Sequence, residues 1–425
     1  MKFLHTADLH LGAPFKSIDA TDTETAARLR DATITAFERT VQLAIDEEVD
    51  FVLFAGDIFN SEHDMQYAQL QFRKGVRRLD DQGIPSFVVC GNHDPLVRNQ
   101  RRLTLPPSCT VFPADKVVSA PVLKNGQIIA RVLGISYAEA RVTDRLVNKF
   151  PIGQGNTFTI GMLHGNLANS VGHDNYAPFT LAELAAAGYD YWALGHIHVH
   201  QEFHVGNTLA VYPGSPQGLD PTETGPHGCV IVNQDQHGDV STTFHPICAV
   251  QWESDEINCP SDEPWETQEQ LEEQIADCIN HYVGRAAADS RSYALRIRLN
   301  GRTALYHTFS TAGSRAALHG EYQRRNVGEF FVWVEEFEWN LRPDIDIEEL
   351  LRQPSFQAEV AKECEAALAD PSKLASHFTP ELAGLMWKNA TLDRLLADMK
   401  SAENQYRLLE RARDLALDRL MDEDN

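Results

Sequence analysis

Residues 86–94 read SFVVCGNHD: a short apolar run is followed by a glycine and then by Asn92, His93 and Asp94. The same order, an apolar run that ends in carboxylate or imidazole side chains, recurs along the first half of the chain. The other four stretches are FLHTADLH (3–10), FVLFAGD (51–57), FTIGMLHG (158–165) and YWALGHIH (191–198). Each apolar run has the length and composition of a buried strand, so we expect five strands that end in polar residues.

Amphipathic stretches separate the early strands. Residues 22–47 and 64–81 each carry apolar residues along one helical stripe, and further strands are expected at Ile128–Ile135 and Leu209–Tyr212. This alternation predicts a layered α/β domain. In such a sheet the polar residues meet at the carboxyl edge of the strands, where sites form. The glycines allow tight turns, so that the side chains emerge into one crevice.

The pattern changes near Ala249. An acidic helix is expected over residues 267–284, followed by β-rich runs at Tyr293–Leu299 and Glu329–Trp339, and the chain becomes helical and charged after Arg342. We therefore expect an α/β domain over residues 1–248, a small α+β domain over residues 249–342 and a helical region over residues 343–425.

Composition sets limits on partners and location. Hydrophobic residues make up 43% and charged residues 23% of the 425 residues, as in ordinary soluble globular proteins. No window approaches the roughly 20 apolar residues of a membrane span, and the N-terminus reads as a strand rather than a secretory signal, so we expect a cytoplasmic protein. Seven scattered cysteines without a CxxC pair argue against disulfides and structural zinc. The net charge of -24 indicates that this chain alone would bind nucleic acid weakly.

The strand ends offer a set of metal donors. Imidazole and carboxylate together suit manganese, iron or zinc better than calcium or magnesium alone. Seven donors are too many for one open site, but they fit two metals that share a bridging carboxylate. A DxH or GD motif alone occurs often by chance, whereas GNHD, GHxH and the order of all five motifs are specific. The candidate ligands are Asp8, His10, Asp57, Asn92, His164, His196 and His198.

The motifs DLH, GDIF, GNHD, GMLHG and GHIH, in this order, resemble the calcineurin-like metallophosphoesterases. Within that superfamily, the opening KFLHTADLHLG and the later YPGSPQG are similar to the SbcD-type DNA repair exonucleases, and the length and helical tail resemble the YhaO-like branch. The resemblance implies an α/β metallophosphoesterase β-sandwich flanked by helices, with a small α+β capping domain and a helical C-terminal tail. The nuclease domain would be residues 1–248, and the tail would bind a partner.

The resemblance also implies a role for each candidate residue. Two divalent metal ions, Mn²⁺, would share Asp57 as their bridge. His93 would contact the scissile phosphate and protonate the leaving oxygen, and Asp94 would orient His93 as in a catalytic triad. One metal would be held by Asp8, His10, Asp57 and His198, and the other by Asp57, Asn92, His164 and His196.

The implied function is a DNA exonuclease in repair that acts with an SbcC-like coiled-coil ATPase and forms a homodimer, through the helix after Asp64 and the loop after Asp94. Asn60 departs from the pattern, because many nucleases of this type have a histidine there; the balance of exonuclease and endonuclease activity stays open. The alternative is a phosphatase or cyclic-nucleotide phosphodiesterase on the same metal core. A non-catalytic scaffold is less favoured, since all the ligands are present.

Several other residues have two interpretations. His5, inside the first strand, is expected to be a packed histidine rather than a ligand. The amphipathic tail over residues 381–421 either docks on the protein's own surface or binds the ATPase. Loop residues near the site either contact DNA phosphates or are simply solvated; they are His63, His173, Arg98, Arg101 and Arg102.

Overall fold

A computed structural model describes residues 1–13, 15, 23–60, 65–96, 104–153, 155, 157–168, 175–369 and 402–422 of the chain. The chain divides into two compact units. The first contains Met1–Ser254, Arg285–Leu295 and Asn326–Glu335, and the second contains Asp255–Gly284, Arg296–Arg325 and Glu336–Asn425.

The described residues form sixteen strands. In chain order they are β1 Lys2–Thr6, β2 Phe51–Ala55, β3 Ser86–Val89, β4 Cys109–Val111, β5 Val118–Lys124, β6 Gln127–Gly134, β7 Phe158–His164, β8 Tyr191–Gly195, β9 Gln201–Val205, β10 Thr208–Tyr212, β11 Gly228–Gln234, β12 Val240–Pro246, β13 Val250–Asn258, β14 Ser292–Arg302, β15 Arg324–Val327 and β16 Phe330–Arg342. The seven strands predicted in the first half are all present, with bounds shifted by at most one residue.

The α-helices of the described chain are α1 Thr23–Arg30, α2 Ala32–Asp46, α3 Met65–Asp81, α4 Leu181–Ala186, α5 Gln268–Asp289, α6 Ala312–Tyr322, α7 Ile347–Leu351, α8 Phe356–Leu368 and α9 Ala402–Asp422. The single helix predicted over residues 22–47 is divided at Asp31. Backbone hydrogen bonds still run through the division, from Asp31 N–H to Ala27 and from Thr35 N–H to Asp31.

The first sheet has the strand order β12-β11-β1-β2-β3-β4. Strands β1 to β4 are parallel, and β11 pairs antiparallel with β1. Because side chains alternate between the faces of a strand, Leu4 and Phe54 pack beneath Phe37 of α2 and Phe72 of α3, whereas Phe3 faces the opposite side.

The second sheet, with the order β5-β6-β7-β8-β10-β9, packs against the first. Phe3 and Phe51 of the first sheet share an apolar core with Ile160 and Tyr191 of the second. The outer face of the second sheet is covered through Trp192, which belongs to a further core with Leu184 of α4 and others. The first unit is therefore a β-sandwich flanked by helices, as predicted.

A third sheet has the order β13-β14-β16-β15. In the second unit, α9 packs on α7 and α8, where Leu417 is fully buried beside Leu350 and Ala361. The helical C-terminal region expected from the sequence is thus present in the described residues. The predicted domain bounds at residues 248 and 342 stay a prediction. Among the described residues, no helix is both long enough and apolar enough to span a lipid bilayer.

Candidate metal centre

Both sheets of the sandwich contribute to one cluster of polar side chains. Asp8 and His10 follow β1, Asp57 follows β2, and Asn92 and His93 follow β3 of the first sheet. The second sheet contributes His164, the last residue of β7, and the pair that follows β8, His196 and His198. The structure brings all seven predicted ligands together, as expected for residues at the carboxyl ends of neighbouring parallel strands.

The backbone at these strand ends is unusual. Four of the predicted ligands have positive φ angles: Asp8 (53°), His10 (42°), Asp57 (49°) and His196 (100°). This conformation is uncommon for residues other than glycine and costs free energy, so the surrounding structure must hold it. Backbone hydrogen bonds hold this conformation: Asp8 N–H donates to Gly56 O and His10 N–H donates to Asp57 O, each at a distance of 3.0 Å. Strain concentrated at these residues supports a functional site.

Gly91 lets the loops approach each other. A Cβ atom at this position would lie 2.3 Å from Asp57 Oδ1 and 2.7 Å from His164 Nε2. No side chain fits that space, so the GNHD motif needs glycine for close approach rather than for flexibility.

One group of donors consists of Asp8, His10 and His198. Their ligand atoms all lie within 4.8 Å of one another, and the two Nε2 atoms of His10 and His198 are 3.2 Å apart. Asp8 is 1% exposed, and both of its carboxylate oxygens accept from the His196 backbone N–H, at 3.1 and 3.0 Å. This group is the one predicted for the first metal, with Asp57 Oδ2 4.0 Å from His10 Nε2.

The second group is built around Asn92. Its Oδ1 lies 3.1 Å from His164 Nε2 and 3.2 Å from His196 Nδ1. Asp57 Oδ2 is 3.4 Å from His164 Nε2, and Asp57 therefore lies beside both groups. The opposite nitrogen of His164, Nδ1, is 3.0 Å from the carbonyl oxygen of Ala55, so it can donate there and leave Nε2 for a ligand bond. The donor set fits two divalent cations that share Asp57.

The pKa values of the buried histidines reflect both their burial and the negative charge of the carboxylates beside them. Burial opposes protonation of His164, but the carboxylates of Asp57 and Asp8 outweigh it and raise the pKa of this imidazole to about 9. Burial lowers the pKa of His10 to about 3, although Asp57 works in the opposite direction. The carboxylates thus favour a proton on His164. A bound cation would supply positive charge in its place, so metal binding would displace that proton.

His93 lies at the mouth of the cluster and is half-buried. Its ring centroid is 4.9 Å from that of His10, and its backbone N–H donates to Asp57 Oδ1 over 2.8 Å. The structure therefore places His93 beside the predicted ligands His10 and Asp57. His10, Asp57 and His93 also satisfy the spacing of a metal group, so position alone does not distinguish a ligand from a proton donor.

Asp94 joins two ligand loops. Its carboxylate is 1% exposed and accepts from Ile58 N–H over 2.8 Å and from Gly91 N–H over 2.7 Å. Burial, followed by the nearby Asp57 charge, raises its pKa to about 8. These hydrogen bonds fix the turns after β2 and β3 relative to each other. The role predicted from sequence, orientation of His93, stays a prediction.

Glu223 was not anticipated from the sequence. Its Oε1 lies 2.5 Å from His198 Nδ1, on the side of the imidazole away from His10. No spacing motif connects a glutamate to a histidine 25 residues earlier, and only the fold brings them together. The YPGSPQG motif, which lies between the two residues, was the available signal.

The other interpretations made from the sequence have different outcomes. His5 is a packed histidine, as predicted: it is fully buried, and its Nδ1 lies 2.9 Å from the Tyr191 hydroxyl. Asn60, three residues after Asp57, is half-buried. The loop residues considered for DNA contact lie outside the described residues; they are His63, His173, Arg98, Arg101 and Arg102.

Comparisons with known proteins point to one family of phosphoesterases. Residues 1–200 match the family model described as Calcineurin-like phosphoesterase. The uncharacterized metallophosphoesterase YhaO of Bacillus subtilis is 36% identical over 253 residues, which are 60% of this chain and 62% of that protein. The DNA double-strand break repair protein Mre11 of Sulfurisphaera tokodaii is 28% identical, over 52% of this chain and 55% of that protein. A component of the nuclease SbcCD of Bacillus subtilis, SbcD, is 27% identical, over 57% of this chain and 68% of that protein.

The chain therefore spans less than two thirds of YhaO and just over half of Mre11.

Proposed function

Because residues 1–200 match the calcineurin-like phosphoesterase family, we propose that this protein is a two-metal nuclease that hydrolyses the phosphodiester bonds of DNA, with manganese as the working metal. The observation that carries the proposal is the pair of donor groups on either side of Asp57, with His93 beside them. Relatives named as part of a nuclease and as DNA break repair proteins support DNA as the substrate.

When bound, a metal pair supplies charge stabilisation of the phosphoryl group and a nucleophile from bound water. The protein's own residues would supply the rest. His164 Nδ1 lies 3.0 Å from Ala55 O, so that Nε2 of this imidazole faces the cluster. His93, half-exposed next to His10, would donate a proton to the leaving oxygen.

We also propose exonuclease action together with an SbcC-like coiled-coil ATPase. The net charge of -24 gives this chain little long-range attraction for DNA, so a partner that brings a basic surface would complete the substrate groove. The ATPase could also set the balance between exonuclease and endonuclease activity, which Asn60 leaves open.

Helix α9 supports such a partner through its two faces. Leu417 and Asp414 lie on the docked face and are buried in the second unit. Leu408 and Leu415, two turns apart, are 36% and 44% exposed. Both interpretations of the tail therefore have support: one face docks on the protein, and the other offers leucines at coiled-coil spacing.

A homodimer through α3 is proposed as well. Tyr67 and Leu70 of this helix are 41% and 48% exposed. The loop after Asp94 that was expected to take part lies largely outside the described residues. The cytoplasmic location stays a prediction from the sequence.

The test of the nuclease is manganese-dependent cleavage of end-labelled duplex and single-stranded DNA, run beside bis-p-nitrophenyl phosphate. His93→Ala should keep both metals and lose about 10²–10⁴-fold in rate, the usual contribution of a general acid. His204→Ala is the matched control, because His204 is exposed on β9 and outside the cluster. Wild-type rates are expected for it.

DNA cut by the wild type and the control, but not by His93→Ala, would support the proposal. Hydrolysis of the small ester alone, with DNA untouched even in the presence of an SbcC-like ATPase, would contradict it. The substrate would then be that of a phosphatase or cyclic-nucleotide phosphodiesterase.

The ATPase partnership is tested by copurification of the full chain with an SbcC-like protein. The double variant Leu408→Gln, Leu415→Gln should abolish the complex, whereas Arg407→Gln, an exposed change on the same helix, should keep it. Equal recovery of both variants would remove α9 from the interface.

A further inference from the structure

The loop that contains the YPGSPQG motif lies against the ligand His198. This loop connects β10 to β11 and covers residues 213–227. Ser215 N–H donates to His198 O over 3.0 Å. A Cβ atom at Gly214, whose φ is +80°, would lie 2.7 Å from the same oxygen, so glycine is needed for this approach. The motif therefore holds the backbone of a predicted metal ligand.

The same loop also holds the side chain of His198. Glu223 Oε1 lies 2.5 Å from His198 Nδ1, and Glu223 Oε2 accepts from Leu219 N–H over 2.6 Å. The backbone N–H of Glu223 donates to Asp220 O over 2.9 Å. Both carboxylate oxygens therefore have a partner, and these contacts fix the orientation of the Glu223 side chain toward the imidazole.

A second glutamate–histidine pair lies two residues further along and serves as a comparison. His200 Nε2 is 3.3 Å from Glu202 Oε1, and His200 Nδ1 is 3.0 Å from Tyr212 O. Both nitrogens of His200 are thus engaged within the protein, and none is left for a metal. In His198, by contrast, Nε2 is directed at His10 Nε2, 3.2 Å away.

We propose that Glu223 is the positioning residue of the first metal site, where it accepts the Nδ1–H of His198 and so presents the Nε2 lone pair to the ion. The inference rests on the metal-binding part of the proposed function. A carboxylate behind a histidine ligand fixes its tautomer and ring orientation and strengthens its donor nitrogen. Only the donor group of Asp8, His10 and His198 depends on this contact, so the two metals should respond differently to its loss.

The experiment is a calorimetric titration of manganese into the metal-free full chain. The wild type should show two binding events. Glu223→Ala should weaken one of them about 10–100-fold, the usual effect of removing such a carboxylate, and leave the other unchanged. Glu223→Gln keeps an acceptor oxygen at the same distance and should recover part of the affinity.

Glu202→Gln is the matched control and should bind both ions as the wild type does. The unfolding temperature of each metal-free variant shows whether the fold is affected. Equal affinity of wild type and Glu223→Ala would overturn the inference. So would weakening of both events with a lowered metal-free unfolding temperature, because Glu223 would then be a structural residue only. A wild type that binds no manganese would instead refute the proposed function, and the inference with it.

Discussion

Charged side chains are arranged in opposite ways in the two units of this chain. At the strand ends of the first unit, carboxylates and imidazoles converge, and the seven predicted ligands include no lysine or arginine: Asp8 and Asp57 are 1% and 2% exposed. In the second unit, several arginines on neighbouring elements pair with carboxylates. Asp414 there accepts from Arg302 over 2.9 Å, and Arg298 donates to Glu338 over 2.8 Å.

The difference separates a binding site from a structural charge network. Burying charge costs free energy, and the cost is offset either by a partner within the chain or by an ion from outside. A cluster in which buried carboxylates lie beside titratable imidazoles can exchange a proton for a cation, whereas a network of arginine–carboxylate pairs is complete. A cleft of about 850 Å³ in the second unit is lined by such pairs, among them Arg298 and Glu338.

The largest expected effect comes from replacing Asp57, the predicted bridging carboxylate of the cluster at the strand ends. Asp57→Ala removes the carboxylate that lies beside both donor groups, so neither metal keeps its full ligand set. We expect DNA and ester cleavage to fall by more than about 10³-fold, since charge stabilisation by the ions would be lost. Steady-state rates at saturating manganese measure this. A variant that keeps a tenth of the activity would show that Asp57 is not the bridge.

Metal binding should stabilise only the first unit, which contains the cluster at the strand ends. At a free ion concentration about 1,000 times Kd, one site adds about 4 kcal/mol to the free energy of unfolding. Chemical unfolding with manganese and with a chelator measures the difference, and Asp57→Ala serves as the control without a response. Identical unfolding curves for the wild type under both conditions would mean that the donor cluster binds no manganese.

The stability of the charge network in the second unit should fall when a charged partner is removed, and a chelator should not change it. Asp414→Asn leaves Arg302, Arg342 and the buried Arg413 without their shared carboxylate. We expect a loss of about 2–3 kcal/mol, less than for a fully buried network because two of the arginines are partly exposed. Urea unfolding measures it.

Glu403→Gln is the control for Asp414→Asn. Its pair with Arg407 is exposed on both sides, at 73% and 66%, and should be worth less than about 0.5 kcal/mol. Equal effects of the two variants would show that burial does not distinguish these pairs.

Apart from the control, the smallest expected change in stability concerns a buried histidine that has no carboxylate partner. Burial lowers the pKa of His5 to about 3 from 6.5 in the unfolded chain. The unfolded state therefore binds the proton first, and the free energy of unfolding falls as the pH drops from 6.5 towards 3, by about 2 kcal/mol at pH 5. Urea unfolding at pH 7 and pH 5 should show a smaller loss for His5→Gln. The same loss in both proteins would place the acid sensitivity elsewhere.

The sequence predicts the first region well and the second poorly, for a physical reason. Metal ligands at strand ends follow from local order: a buried strand such as β3, a glycine and a donor such as Asn92 are neighbours in the chain. The packing of His5 follows from its place inside a buried strand. The bridge role of Asp57 comes from the family resemblance and stays a prediction.

Features that depend on distant parts of the chain are not visible in this way. Glu223 reaches His198 only because the β10–β11 loop folds back, and Asp94 bonds Ile58 across two loops. The antiparallel strand β11 enters the sheet beside β1 from more than 200 residues away. In the second unit, Asp414 and Arg302 are 112 residues apart, and neither belongs to a recognisable motif.

The origin of the ligands in both sheets has a mechanical consequence. An ion held by Asp8, His10 and His198 would clasp the end of β1 in one sheet to the end of β8 in the other. Separating the sheets would then require rupture of coordinate bonds, so the ion would slow unfolding as a cross-link does. All seven cysteines are free, so the protein has no covalent counterpart to this clasp. A chelator, and not a reductant, would be the reagent that opens it.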